Sequence, residues 1–226
     1  MAIYQFYAEL EGYKPKIWRK FQVDENITVA RLGYTVMAMY EMQASHLLAF
    51  EYERSLLTPS GRKSSRMELI DRYGIPNDFD DDFGFDDKDA TKTRLSELQL
   101  EEPYSLLVWY DFGDDWRVRV TLEEVQNNSD LLQSELPRVF DGKGFGIVED
   151  CGGIYGLADL ADAYKTKRGK EYKQYREWLG VDDFDLAAFN IDEMNIRVKK
   201  LPDIYAKIYE KKRPPTQKEI RLITRR

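Results

Sequence analysis

Residues 4–23 read "YQFYAELEGYKPKIWRKFQV", and the spacing of their apolar residues predicts a β-hairpin. Apolar side chains recur so that each strand has one apolar face, formed by Tyr4, Phe6, Ala8 and Leu10 and by Ile17, Phe21 and Val23. The polar segment "EGYKP" (11–15) provides the connecting turn. A hairpin with one apolar face needs a helix or a second layer to cover it.

The residues after the hairpin provide that helix and extend the sheet. Thr28 is placed to cap a helix with apolar residues at three- and four-residue spacing, and "HLLAFEYE" (46–53) predicts another strand. Later, "SLLVWYD" and "WRVRVTLEEV" predict two strands joined by "FGDD", where we expect Gly113 to adopt a positive φ. This order predicts an α+β fold: a β-grasp-like mixed sheet crossed by one helix, with a helical C-terminal portion.

We expect a single domain over residues 1–196, followed by a basic C-terminal extension over 197–226. Residues 54–94 are too long for a plain connection and form an insertion with one predicted helix, "SSRMELIDRYG". Residues 157–196 form the helical part, where "EYKQYREWLG" is closed by Gly180 and a last helix opens near Asp185.

Charge divides the chain into an acidic body and a basic tail. The whole chain carries −7, and residues 197–226 contain 11 lysines and arginines against 3 acids, a net +8, which leaves −15 for residues 1–196. An acidic body repels nucleic-acid phosphates, so we expect at most a weak, non-specific nucleic-acid contact through the tail. Pro214 and Pro215 break any continuing helix, so removing the residues after Tyr209 is expected to leave the fold intact.

Composition bounds the class of protein. Hydrophobic residues make up 42% of the chain, which is ample for a packed core. The sequence has no apolar run of about 18 residues and no basic, apolar leader. We therefore expect a cytoplasmic protein without a membrane partner.

Residues 109–117, "WYDFGDDWR", contain the Asp-Phe-Gly triplet of protein kinases. The glycine-rich loop, strand lysine and catalytic loop that a kinase carries upstream are absent from the sequence, which excludes that class. Gly and Asp are ordinary turn residues, but turn formation leaves three carboxylates between two tryptophans to explain. We call this set the acidic and aromatic rim: Trp109, Asp111, Asp114, Asp115 and Trp116. Such a rim could coordinate a hard cation or receive a basic peptide.

The segment "VEDCGGIYG" (148–156) places three glycines before a predicted helix, as in an anion-binding turn. Its spacing matches neither the phosphate-loop nor the dinucleotide motif. Cys151 and His46 are the sole residues of their types, so a multi-cysteine zinc site within the chain is excluded and a Cys–His nucleophile pair requires these two to meet. A buried cysteine and a hydrogen-bonded core histidine are the commoner identities of such residues.

The acidic run "NDFDDDFGFDDKD" (77–89) resembles a calcium-binding loop only in its spacing of aspartates. Counted from Asp78, position six is Phe83 and position twelve is Asp89, where an EF-hand has glycine and glutamate. The run therefore indicates a solvated loop with at most weak ion binding.

Taken together, seven segments occur in an order that resembles the plasmid pRi open-reading-frame-three-like family: "KPKIWRKFQV", "HLLAFEY", "YDFGDDWRVRVTLEEV", "PRVFDG", "EDCGGIYGLADL", "REWLG" and "FNIDEMN". The resemblance spans residues 3–198. Members of this family are often described as passenger proteins of an insertion sequence with a resolvase-like label, but neither recombinase constellation is visible here. Many members of the family have a cysteine after a Pro-Arg pair, where this chain has Val139 after Pro137 and Arg138. Tyr155 stands where a tryptophan is usual.

The resemblance implies an α+β protein of plasmid or mobile-element origin without an established activity. It implies seven candidate binding residues: His46, Tyr110, Asp111, Asp114, Trp116, Asp150 and Cys151. We predict a non-enzymatic accessory module that uses the rim to bind a protein or peptide partner, and the sequence indicates no cofactor. The alternatives are an enzyme that uses a carboxylate-bound divalent metal or a cysteine nucleophile, and a DNA-recombination accessory factor.

Overall fold

The computed structural model describes residues 2–57, 63–76, 87–127 and 131–224 of the chain. These residues form strands β1 (Ile3–Leu10), β2 (Trp18–Asp24), β3 (Leu48–Leu57), β4 (Lys63–Gly74), β5 (Lys88–Asp89), β6 (Tyr104–Tyr110), β7 (Trp116–Gln126) and β8 (Arg138–Lys143). Their α-helices are α1 (Val29–Met39), α2 (Gly153–Thr166), α3 (Gly169–Leu179), α4 (Ile191–Tyr209) and α5 (Gln217–Thr224). The predicted α+β class is confirmed.

The strands form one 8-stranded sheet in the order β5-β4-β3-β6-β7-β1-β2-β8. The predicted hairpin is confirmed: β1 and β2 pair antiparallel, with Phe6 opposite Phe21. β1 also pairs antiparallel with β7, and among the described strands only β4 and β5 run parallel. The sheet is therefore mixed, as predicted, while the narrower β-grasp topology stays a prediction.

Helix α1 lies in the middle of the molecule, between the sheet and α4. Thr28 caps it as predicted, because the hydroxyl accepts a hydrogen bond from the Arg31 amide at 3.1 Å. Ten of its eleven residues are buried, which requires cover on both sides of the helix. α4 supplies the second cover, with Tyr209 stacked on Tyr34 at 5.8 Å between ring centroids.

The predicted helix "SSRMELIDRYG" is wrong, because these residues form β4. They pair antiparallel along β3, with Tyr73 opposite Phe50 and Asp71 opposite Tyr52. Cross-strand ion pairs reinforce the register, including Arg72 with Glu51 at 2.6 Å. Partners that are distant in sequence thus override the local helical spacing.

The last long helix begins six residues later than predicted. α4 starts at Ile191, with Asn190 as its cap, while Asp185 closes a separate turn by accepting the Ala187 amide at 2.9 Å. The expected boundary between residues 196 and 197 falls inside α4, and Val198 and Leu201 beyond it belong to the main core. The segment described as an extension therefore begins within a core helix. Most of the acidic run, residues 77–86, lies outside the described residues.

Candidate functional site

Three loops meet at the end of the sheet where β6 stops. They are the loop between α1 and β3, the β6–β7 turn and the segment before α2. The first two are joined by the Asp111 amide, which donates to the Leu47 carbonyl at 3.0 Å. The segment before α2 is anchored to the C-terminal end of α1, because the Ile147 amide donates to the Tyr40 carbonyl at 3.0 Å. Gly146 makes this contact possible: its φ is 139° and a Cβ there would lie 2.7 Å from the Tyr40 oxygen.

His46 lies where these loops meet, surrounded by three carboxylates. Its Nδ1 is 3.5 Å from Asp111 Oδ2, and its Nε2 is 3.3 Å from both Glu149 Oε2 and Asp150 Oδ1. Tyr110 packs edge-on against the imidazole at 5.7 Å between ring centroids. The structure therefore brings together four of the seven candidate residues: His46, Tyr110, Asp111 and Asp150.

Glu149 is the fixed carboxylate of this group. Its Oε1 accepts from the Tyr110 hydroxyl and from the Gln43 amide, both at 2.6 Å, and its Oε2 accepts from the Ser45 hydroxyl at 2.6 Å. Burial, followed by the charge of Glu149, raises the pKa of Tyr110, so the phenol stays a proton donor to that carboxylate. Glu149 and Ser45 were missed as site residues, although the acid stands next to Asp150 in the quoted "VEDCGG" segment.

The two oxygens of Asp111 have different partners. Oδ1 accepts from the Gly113 amide at 3.1 Å and from the Asp114 amide at 3.4 Å, which holds the turn, while Oδ2 faces His46. The positive φ expected for Gly113 is wrong: Asp111 and Asp115 adopt the left-handed conformation instead, at 53° and 56°. Aspartate tolerates this conformation better than most residues because its side chain can bond to nearby backbone amides.

Asp114 connects the turn to the glycine segment. Its Oδ2 accepts from the Gly152 amide at 3.2 Å, so a protein carboxylate takes the donor that a phosphate would need. Gly153 allows this contact, since its φ is 69° and a Cβ there would lie 2.4 Å from the Asp114 carbonyl oxygen. These glycines therefore serve the close packing of two loops.

Cys151 and Trp116 do not share the chemistry of the His46 group. The Cys151 thiol lies 3.7 Å from the Gly153 carbonyl, and burial, followed by the charge of Asp114, raises its pKa to about 12. A raised pKa suppresses the thiolate, which disfavours a nucleophilic role. Trp116 is fully buried in the core, so this member of the acidic and aromatic rim does not face solvent.

A second set of residues beside His46 borders the solvent, and only Asp114 of this set belongs to the acidic and aromatic rim. We call this set the exposed rim: the exposed Leu47, Phe112 and Asp150 together with the half-buried Asp114. Leu47 and Phe112 are 57% and 45% exposed, and Phe112 packs on Trp109 at 4.5 Å between ring centroids. Neither Leu47 nor Phe112 was among the candidate residues, because single apolar residues in a loop carry no sequence signal.

A cleft of about 530 Å³ opens beside Glu149 and Asp150. Its walls are largely apolar and come from the loop before α2, from α3 and the loop after it, and from α5; they include Phe145, Ile147, Trp178, Val181, Phe184 and Ile223. Glu41 adds a third carboxylate to the lining. The His46 group thus lies next to a concave surface of the size that small ligands and side chains occupy.

Fold and site together define a single-sheet α+β protein with a histidine–carboxylate group at one end of its sheet. Residues 2–193 match the model of the plasmid pRiA4b ORF-3-like protein family, and the chain belongs to this family. It is 26% identical over 216 residues to the uncharacterized protein y4hQ of Sinorhizobium fredii, covering 95% of this chain and 98% of that protein.

Among solved structures, the chain is similar to a protein of unknown function, MM3350, from Methanosarcina mazei Go1. The TM-score is 0.67 at 29% sequence identity, over 85% of this chain and 97% of that one. The family resemblance seen in the sequence is confirmed, and the family description names a plasmid reading frame without an activity. Among the described residues, the helices are not long and apolar enough to cross a membrane.

Proposed function

We propose that the protein is an accessory binding module whose exposed rim takes a basic peptide segment of a partner protein. The observation that carries this proposal is the pairing of exposed apolar side chains with carboxylates that have no lysine or arginine as ion-pair partner within the residues that the structure describes. None of the lysines and arginines in the described part of the chain forms an ion pair with Asp111, Asp114, Glu149 or Asp150.

A lysine or arginine side chain of the partner complements this surface. Its aliphatic stem packs on Leu47 and Phe112, while its charged head reaches Asp150, which is 70% exposed. The half-buried Asp114, which accepts from the Gly152 amide two residues after Asp150, adds a second carboxylate to this surface. Charge complementarity then favours a basic segment over an acidic one by both affinity and association rate.

Fluorescence anisotropy tests this proposal with two labelled peptides of equal length, one rich in arginine and leucine and one with glutamate in place of arginine. The full chain is measured in the presence of a chelator. We expect the unmodified chain to bind only the basic peptide. The double change Leu47→Ser and Phe112→Ser should weaken this binding about tenfold or more, which corresponds to about 1.4 kcal/mol.

Leu132→Ser and Glu101→Gln serve as matched controls, because both residues are exposed and lie at the opposite end of the sheet. Leu132→Ser matches the loss of an exposed apolar side chain, and Glu101→Gln tests whether the loss of any surface negative charge weakens binding; neither change touches the exposed rim. Equal weakening by the controls, or equal binding of the acidic peptide, would contradict the proposal.

A further inference from the structure

We propose that His46, Asp111 and Asp150 bind a divalent transition-metal ion. One donor atom from each of the three residues lies within 4.8 Å of the others, although the residues come from three separate loops. The inference goes beyond peptide binding. The two sites share Asp150, but Leu47 and Phe112 contribute no donor atom, so the double change of these two residues to serine tests peptide binding separately from metal binding.

The donor set has the chemistry of a transition-metal site. One imidazole nitrogen with two carboxylate oxygens suits zinc, manganese, iron and cobalt, whereas calcium and magnesium prefer oxygen donors throughout. An ion binds one of the two imidazole nitrogens, and two ligands of a tetrahedral ion with bonds of about 2.0–2.1 Å lie about 3.3 Å apart. The three donor atoms lie within 4.8 Å of one another, so binding requires a small inward movement, which the 70% exposed Asp150 side chain allows.

The turn presents one Asp111 oxygen for this purpose. Oδ1 is used by the amides of Gly113 and Asp114, which fixes the carboxylate plane and leaves Oδ2 directed at His46. Asp150 also adopts the left-handed conformation, with a φ of 59°, on the opposite side of the imidazole. Two carboxylates therefore converge on one histidine from separate loops.

Glu149 and Tyr209 hold the histidine in place. The Tyr209 hydroxyl donates to the His46 carbonyl at 2.6 Å, which fixes the backbone. A metal-bound imidazole carries a proton on its other nitrogen, and with the ion on Nδ1 beside Asp111 that proton lies on Nε2, where Glu149 Oε2 stands at 3.3 Å as an acceptor. Glu149 is thus a positioning residue, since its own oxygens are already hydrogen-bonded.

Charge favours a dication at this position. Three carboxylates surround His46, and within the described ranges their only ion pairs are with that histidine. Even a protonated imidazole offsets just one of the three negative charges, whereas a divalent ion offsets two. The exposed Asp150 leaves the ion accessible from solvent, next to the cleft lined by Glu149 and Asp150.

Titration of the full chain with cobalt and zinc tests the inference after chelator treatment and dialysis. Visible absorption reports the coordination of Co²⁺, and calorimetry measures Zn²⁺ affinity and stoichiometry, with Mg²⁺ as a competitor. We expect one equivalent of Zn²⁺ that excess Mg²⁺ does not displace. Asp111→Asn keeps the turn-forming Oδ1 and replaces Oδ2 by an amide nitrogen, so it should weaken binding at least about tenfold while the fold survives.

Asp150→Asn provides a second, exposed variant with the same expected loss, since asparagine tolerates the left-handed conformation. Cys151→Ser and Glu101→Gln should bind as the unmodified chain does, and the cobalt spectrum should lack a thiolate charge-transfer band. Sub-stoichiometric binding, or binding unchanged in both aspartate variants, would overturn the inference. So would zinc binding that is lost in Cys151→Ser.

Discussion

Glu219 shows how one carboxylate closes a helix end. Its Oε2 accepts from the Thr216 amide at 2.9 Å, and its own amide donates to the Thr216 hydroxyl at 3.3 Å, which makes a capping box at the start of α5. The hydrogen bonds from Thr216, followed by the Arg213 guanidinium, lower the pKa of Glu219 from 4.5 to about 2. The ionised form is therefore the one that the folded chain favours.

This lowered pKa gives a stability effect with a defined sign and pH window. Because the folded pKa lies below the unfolded value, the stabilisation is present above pH 4.5 and is lost as the pH falls towards about 2. Urea denaturation of the unmodified chain and of Glu219→Gln from pH 2 to 6 measures it. We expect the difference in unfolding free energy to be largest at pH 6 and to vanish near pH 2. A difference that stays constant across this range would contradict the assignment.

At the scale of elements, Asn195 closes one edge of the sheet. β8 pairs with β2 on one side, and on its other side the Asn195 amide group binds the backbone of Val139. Oδ1 accepts from the Val139 amide at 2.9 Å, and Nδ2 donates to the Val139 carbonyl at 2.8 Å. A side chain of α4 thus takes the place of a ninth strand for one residue.

Replacement of Asn195 by alanine should expose this edge. Two backbone groups lose their partners, so we expect a destabilisation of about 1–3 kcal/mol in urea denaturation. Ile196→Ala on the same helix is the matched control, because Ile196 is exposed and should change stability by no more than about 0.5 kcal/mol. Equal effects of the two changes would show that α4 does not depend on this contact.

Much of this element order follows from sequence because the patterns are local. The alternation in residues 4–23, the cap at Thr28 and the glycine after Leu179 each act within a few residues. β4 escaped prediction because its partner, β3, and not its own spacing, determines its conformation. The site segments were recognisable, but their meeting depends on left-handed Asp111 and Asp150, which no sequence pattern specifies.

At the scale of the whole molecule, the C-terminal residues belong to the core. Arg197 of α4 is buried and binds Glu41 at 3.0 Å, while its guanidinium also donates to the carbonyls of Leu222 and Ile223 in α5. Ile223 is buried in the same hydrophobic cluster as α1. These contacts argue against the expectation that the fold survives without the residues after Tyr209. The weak nucleic-acid contact of the basic tail stays a prediction.

Truncation after Tyr209 should destabilise the protein by at least about 2 kcal/mol, since it removes the buried Ile223 and exposes to water the core surface that Ile223 covers. The same change takes two carbonyl acceptors from a buried arginine, which adds to the cost. Thermal and urea denaturation of the truncated chain measure the effect, and a chain shortened only by residues 225–226 is the control. Unchanged stability of the longer truncation would show that α5 is a peripheral helix.

The interior position of β1 in the sheet has a consequence for synthesis of the protein on the ribosome. β1 pairs with β2 at once, but its other edge is completed only when residues 116–126 have emerged as β7. The outer face of α1 stays uncovered still longer, until α4 is made. For most of its translation the nascent chain therefore presents an open strand edge and a bare apolar helix, the features that chaperones recognise and that slow folding of long-range topologies.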